Sequence, residues 1–422
     1  MIREELKKIW RPGMIGILLL LGAIYYTMFM EFYIRYFPNG PQAEGVFQVS
    51  AGLVEKYGTS LSIGEMEEAK AEFSELYSEA DGYIRGLALA QEHGLQSYEE
   101  YINFQEKTYE DLNQSDNVSN QFGNMSDQSD GLPDSNKDYR DLMLISNYLT
   151  GSETKNIGGR IYGAEWLLQF YEREQEIREL FLRGKLETDY SVREQKRIQK
   201  LLCGEDALWQ NILPAEVTET TSVYMYFMLI WMCLSVCLFI APLQVNDRLS
   251  RMRTFQYSSK RGRKIFSMQF KTAMLSAFIL TILNLVIFMG IFATNGTAVF
   301  RDCRVYSFAA AEFSWVDWKY GTWCLVLMII CCLIAMGTAA AAFFLAHHSA
   351  NYISMLLKLI PVIAVLATVL PPTLYQAFYF YNGMYRMTKI PYVEAVFSVL
   401  IFAAGNVLCR GTYGKIKKCD IV

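Results

Sequence analysis

The sequence predicts an all-α polytopic membrane protein: six transmembrane helices, with a mainly helical extracytoplasmic domain inserted after the first. Three observations lead there. Six apolar runs reach the roughly 20 residues needed to cross about 30 Å of hydrocarbon. Basic residues concentrate in three short segments that fall on one side of the bilayer if there are six spans. Residues 1–12 are net +2, the loop 247–264 is net +6 and the tail 410–422 is net +3. Acidic residues concentrate instead in 34–220, which holds 34 acids against 17 bases, a net charge of −17. The positive-inside rule then places both termini in the cytoplasm and 34–220 outside. The location expected is the plasma membrane, multi-pass; the composition is compatible with a bacterial source.

The elements follow in order. Residues 1–12 read as a cytoplasmic amphipathic helix with Arg3, Lys7, Lys8 and Arg11. Residues 13–33 read as the first span, carried by the apolar run Met14–Tyr33. The basic residues before it resemble a signal-peptide start. Its run is long, however, and no small-x-small cleavage site follows, so a retained span is expected. Residues 34–220 are long enough for a domain of their own. Apolar residues recur there at helical spacing through 63–112, 161–186 and 191–203, with Ser191 as a cap for the third stretch. Asn113–Lys137, rich in Ser, Asn, Asp and Gly, reads as a loop. Residues 221–409 supply five further spans, approximately Thr221–Pro242, Met268–Thr294, Tyr320–Ala346, Tyr352–Pro371 and Pro391–Cys409. A cytoplasmic loop, 243–267, joins the second span to the third, and 410–422 form a basic tail.

That loop is the most informative stretch. Between Asp247 and Lys264 it has seven bases and one acid, Asp247 itself. It both orients the spans and offers a surface for an energising partner to grip. Elsewhere the spans are short of polar groups. Lys358 lies about two turns into the fifth and is expected to snorkel back. Glu31 and Glu394 lie near span ends, where headgroups or water are within reach. Asn284 is expected to bond a neighbouring helix. The small-residue stretch Gly337–Ala342 allows close packing, within one bundle or between two copies.

Several function classes lack their residues. There is no G-x-x-x-x-G-K-[ST] loop, so nucleotide hydrolysis in this chain is not expected. With three His (93, 347 and 348), no His-Glu-x-x-His and no C-x-x-C in a soluble segment, no metal site, resident cofactor or catalytic residue is expected. His347-His348 read as interfacial residues at the end of the fourth span. Nucleic acid is not an expected partner. Cys203 and Cys303 fall in outer segments, where an oxidising exterior would permit a disulfide.

One short amphipathic helix, one span, a large outer domain and five spans resemble the permease subunits of type 2 ABC exporters. The stretch Leu243–Lys271 is similar to that family's cytoplasmic connection between second and third spans. Its acid, small-polar, Gly-Arg and Lys places are taken by Asp247, Ser258-Ser259, Gly262-Arg263 and Lys271, although the family's usual Glu-Gly is missing. The resemblance implies export of a substrate, with ATP bound and hydrolysed by a separate ATPase subunit. It implies that Asp247, Arg248, Arg251, Arg253, Tyr257, Arg261 and Arg263 couple to that subunit. It also implies a dimer of permeases, homo- or hetero-, and short re-entrant helices at Tyr375–Tyr385 closing an outer gate. The absence of a polar pore suits a lipid, amphipathic peptide or drug. The alternative is a membrane sensor whose outer domain binds a ligand and whose basic loop contacts a cytoplasmic partner.

Overall fold

The computed structural model describes residues 2–121, 134–182, 190–203, 211–252, 264–306 and 313–418. In chain order the helices are α1 (Ile2–Ile9), α2 (Pro12–Phe29), α3 (Phe32–Arg35), α4 (Pro41–Tyr57), α5 (Ile63–Gly86), α6 (Ala88–Glu92), α7 (Tyr98–Gln121), α8 (Asp134–Leu149), α9 (Ile157–Leu182) and α10 (Val192–Cys203). They continue with α11 (Ala215–Leu249), α12 (Ile265–Phe292), α13 (Tyr320–His347), α14 (Tyr352–Leu374), α15 (Gly383–Thr388) and α16 (Val393–Lys418). Strand pairing among the described residues is confined to isolated bridges, such as Ser60 with Asn211. The protein is therefore all-α, and α2, α11, α12, α13, α14 and α16 are its six membrane-spanning helices.

The chain divides into two compact units, each described separately. The first is Met1–Phe37 with Thr188–Ala207 and Ala215–Val422; the second is Pro38–Glu187 with Leu208–Pro214. The sequence expectation drew the insertion as 34–220. The main difference is α10, which groups with the spans: Glu194 accepts from Tyr385 OH, and Tyr190 just before the helix packs on Phe380. Its start has both halves of a capping box: Glu194 N donates to Ser191 Oγ, and Ser191 N donates to the Glu194 carboxylate at 2.6 Å.

Within the first unit, α11 and α13 form the buried centre. In α11, 67% of the apolar stretch is buried; in α2 only 6% is, so α2 lies on the outside of the bundle along nearly its whole length. At 35 residues α11 is about 52 Å long, well beyond the hydrocarbon layer. Pro242 in α11 and Pro361, Pro371 and Pro372 in α14 sit inside helices, as spans tolerate when neighbours satisfy the freed carbonyls. The small-residue stretch of α13 packs inside the bundle: a Cβ on Gly337 would lie 2.7 Å from the Ile401 backbone, and one on Gly405 would lie 2.5 Å from Gly337 O. α13 and α16 thus cross backbone to backbone. Asn284 bonds a neighbouring helix as expected, accepting from Trp231 Nε1 at 3.3 Å and donating to Ser235 Oγ at 3.1 Å.

The second unit is a helical domain with its own core, in which Leu61, Ile84, Leu142, Ile145, Ile161 and Leu167 are buried. α5 opens on a Ser62–Glu65 capping box. Gly94, at φ +72°, makes the turn between α6 and α7, a conformation glycine takes without strain. α4 and α9 cross so closely that a Cβ on Gly45 would lie 1.7 Å from Gly159 O. The expected loop Asn113–Lys137 begins inside helix, since α7 runs to Gln121 and α8 starts at Asp134.

Candidate functional site

The basic face is the end of the bundle where α11 and α13 finish and α12 and α14 begin. α1 docks there. Its apolar side buries Ile9, and Trp10 just beyond packs edge-on against Phe239 with ring centroids 4.9 Å apart. Trp10 Nε1 also donates to Ser276 Oγ at 3.1 Å. This docking carries two charged residues of α1 inward, to the helix ends that flank the basic loop.

There they complete a buried polar chain. Gln269, on α12, donates from its amide to Asp247 Oδ2 at 2.5 Å and to Glu5 Oε2 at 3.2 Å. Lys8 bridges the same two carboxylates from the other side, 2.8 Å from Glu5 and 3.6 Å from Asp247. Gln244 Nε2 donates to Gln269 Oε1 at 3.0 Å, which leaves Gln244 Oε1 to accept from His347 Nδ1–H, also at 3.0 Å. Glu5, Gln244, Asp247, Gln269 and His347 are all buried. Burial alone would lower the Lys8 pKa; the Glu5 hydrogen bond and the nearby Asp247 charge outweigh it and raise the pKa above its ordinary value. The ammonium therefore stays charged, as two close carboxylates require. Four elements, α1, α11, α12 and α13, are tied at one point.

The remaining residues expected to couple to a partner fall into three groups. Arg248 turns sideways and donates to Ser349 O at 3.0 Å, in the connection between α13 and α14. Arg251 is exposed, at φ +55°, where α11 ends. Arg253, Tyr257, Arg261 and Arg263 lie outside the described residues. Lys358 reaches back to the same face, donating to His348 O at 2.7 Å, and Tyr352 OH donates to Asn246 Oδ1 at 2.5 Å. Asp247 was expected at this site from sequence. Glu5, Lys8, Gln244, Gln269 and His347 were not. Their only signal is two glutamines inside apolar runs, near the membrane end that carries Asp247.

At the opposite end, the segment between α14 and α16 folds back against the bundle. Gln376 and Phe378 adopt positive φ, and their backbone is held by neighbours. Gln376 N donates to Ser222 Oγ, Phe378 N to Glu394 Oε1, and Trp323 Nε1 to Ala377 O. Glu394, expected to reach headgroups or water, is instead buried as the acceptor for this segment. Asn382, fully buried, caps α15 from its Oδ1 and donates to Thr373 O and Tyr375 O.

No group of His, Cys, Asp and Glu among the described residues could hold a metal ion. Cys303 is a buried free thiol whose pKa is pushed up to about 12 by desolvation; the Cys203 side chain lies outside the described residues. No family model, curated protein or solved structure matches the chain.

Proposed function

We propose that this protein is the membrane-spanning permease subunit of a type 2 ABC exporter, driven by ATP that a separate ATPase subunit hydrolyses. The observation that carries the reading is the buried Glu5–Lys8–Asp247–Gln269 clamp. It fixes the end of α11 and the start of α12, the two anchors of the seven-base loop, to each other and to α1. A partner gripping that loop would move two spans and an amphipathic helix as one body. A chain without a nucleotide-binding motif needs such a handle, because its energy must arrive from another subunit.

In this reading the basic face is cytoplasmic, as the charge asymmetry supports. The second unit lies outside the plasma membrane, and two permease copies form the pathway. The cargo is apolar or amphipathic, since the buried centre of α11 and α13 offers few polar groups. The experiment is co-purification. The tagged chain should retain an ATPase subunit with a Walker motif and show nucleotide hydrolysis only in that complex. Robust hydrolysis by the purified chain alone would overturn the reading. The sensor alternative draws on a polar hollow of about 530 Å³ in the second unit, lined in part by Glu44, Gln48, Lys155 and Arg160. It would be preferred if the protein retained a kinase and no ATPase.

A further inference from the structure

The segment between α14 and α16 breaks the charge pattern of its face. From Tyr375 to Tyr392 it has two bases, Arg386 and Lys389, and no acid. The other long segment between spans, 34–220, is net −17. Cations beside spans on the face opposite a basic loop run against the positive-inside tendency, and so call for a counter-charge.

The structure places both in one pocket of about 180 Å³, with Tyr190, Glu194, Phe380 and Tyr381. Its single acid is already engaged: Glu194 accepts from Tyr385 OH at 2.5 Å and from Ser191 N at 2.6 Å. Both cations rest on aromatic faces, and Lys389 also attracts the Glu194 carboxylate through space. The Arg386 guanidinium lies 5.5 Å from the Tyr381 ring centroid, and Lys389 Nζ lies 5.5 Å from that of Tyr385. Among the described residues neither side chain forms a salt bridge or a hydrogen bond. Among its described lining residues, two cations face one acid. A guanidinium fork beside an ammonium suits a tetrahedral anion, which it can meet through two parallel hydrogen bonds.

The surroundings say which anion. The segment joins the end of one span, α14 at Leu374, to the start of the next, α16 at Val393, so on the six-span reading it lies near headgroup depth. Along it Met387, Ile390 and Tyr392 are exposed at 71%, 53% and 44%. A cationic pocket edged by exposed apolar groups matches a molecule with a phosphate at one end and hydrocarbon at the other. We propose that this pocket binds a phospholipid through its headgroup phosphate, with the acyl chains running along Met387, Ile390 and Tyr392. Arg386 and Lys389 hold the phosphate. The buried Asn382 cap and the Glu194–Tyr385 bond hold the pocket's shape.

The binding needs neither nucleotide nor a partner subunit, so it is tested on the purified chain in detergent by native mass spectrometry. Probes are phosphatidylglycerol, diacylglycerol of the same chains, and inorganic phosphate. The wild type should retain phosphatidylglycerol at least about tenfold better than diacylglycerol. The double variant Arg386→Gln, Lys389→Asn should lose that preference; asparagine tolerates the positive φ of Lys389, +56°. Equal retention of phosphatidylglycerol by a folded double variant would overturn the proposal. Displacement of the lipid by inorganic phosphate at equal concentration would overturn the lipid as occupant. A second measurement is independent of those variants. A photo-crosslinking residue at Tyr381 in the otherwise native chain should capture radiolabelled phosphatidylglycerol, and absence of capture would count against the site.

Discussion

Gln269 has the most demanding position of any single residue. Its two amide protons go to two carboxylates, and its oxygen accepts from Gln244. Replacing it by leucine leaves both carboxylates short of a donor in a buried site. Gln269→Leu should therefore lower unfolding stability by about 2–3 kcal/mol, measured by thermal unfolding in detergent. A change below the error of the method would mean the clamp is decorative. Lys8 gives the pH dependence. A lysine whose folded pKa is raised contributes its stability fully below the ordinary value of 10.5 and loses it as pH climbs through the raised value. Wild-type stability should fall above pH 10.5, while Lys8→Met should lack that part of the fall. The partners in this clamp are up to 264 residues apart in sequence, which is why the family resemblance pointed to Asp247 and to none of its partners in the clamp. Glu394 was misread for the same reason: its burial depends on a segment that folds back from outside its own helix.

At the scale of elements, the spans were legible because each is a run of about 20 apolar residues, and hydrocarbon imposes that length. Their contacts were not. The Gly337–Ala342 stretch suggested close packing without naming a partner, and the partner is α16 of the same chain. Gly337→Leu would drive its side chain into the Ile401 backbone and should destabilise the bundle by about 1–3 kcal/mol. In the second unit a paired test isolates the same physics. Gly45→Ala meets Gly159 O at 1.7 Å and should prevent α4 from seating on α9. Gly52→Ala, on the same helix with nothing within 4 Å, should be neutral or stabilising by about 0.5–1 kcal/mol. Equal effects of the two would contradict the α4–α9 crossing. Helix α10 shows the limit of reading elements by position. It lies within the expected insertion in sequence, yet its Glu194 bonds Tyr385 of α15. Tyr385→Phe should cost about 1.5–3 kcal/mol, as for a lost hydrogen bond to a charged group.

At the scale of the whole molecule, six spans run between a basic face and an opposite face. Charge made that frame readable, because Lys and Arg beside spans are sorted by side during insertion. A cysteine at Ser259 should resist labelling by an impermeant reagent in intact cells, and one at Gln128 should react. Reversed reactivity would invert the orientation. The central claim is that the basic loop is a handle for an ATPase subunit. The most direct measurement is the retention of that subunit by a chain in which Arg251, Arg253, Arg261 and Arg263 are changed to Glu. Arg248 is left intact because it secures Ser349. Insertion is verified by the same cysteine labels. The account predicts a correctly inserted protein that loses the ATPase subunit and the transport it drives. A correctly inserted variant that keeps the subunit and transports at the wild-type rate would contradict it.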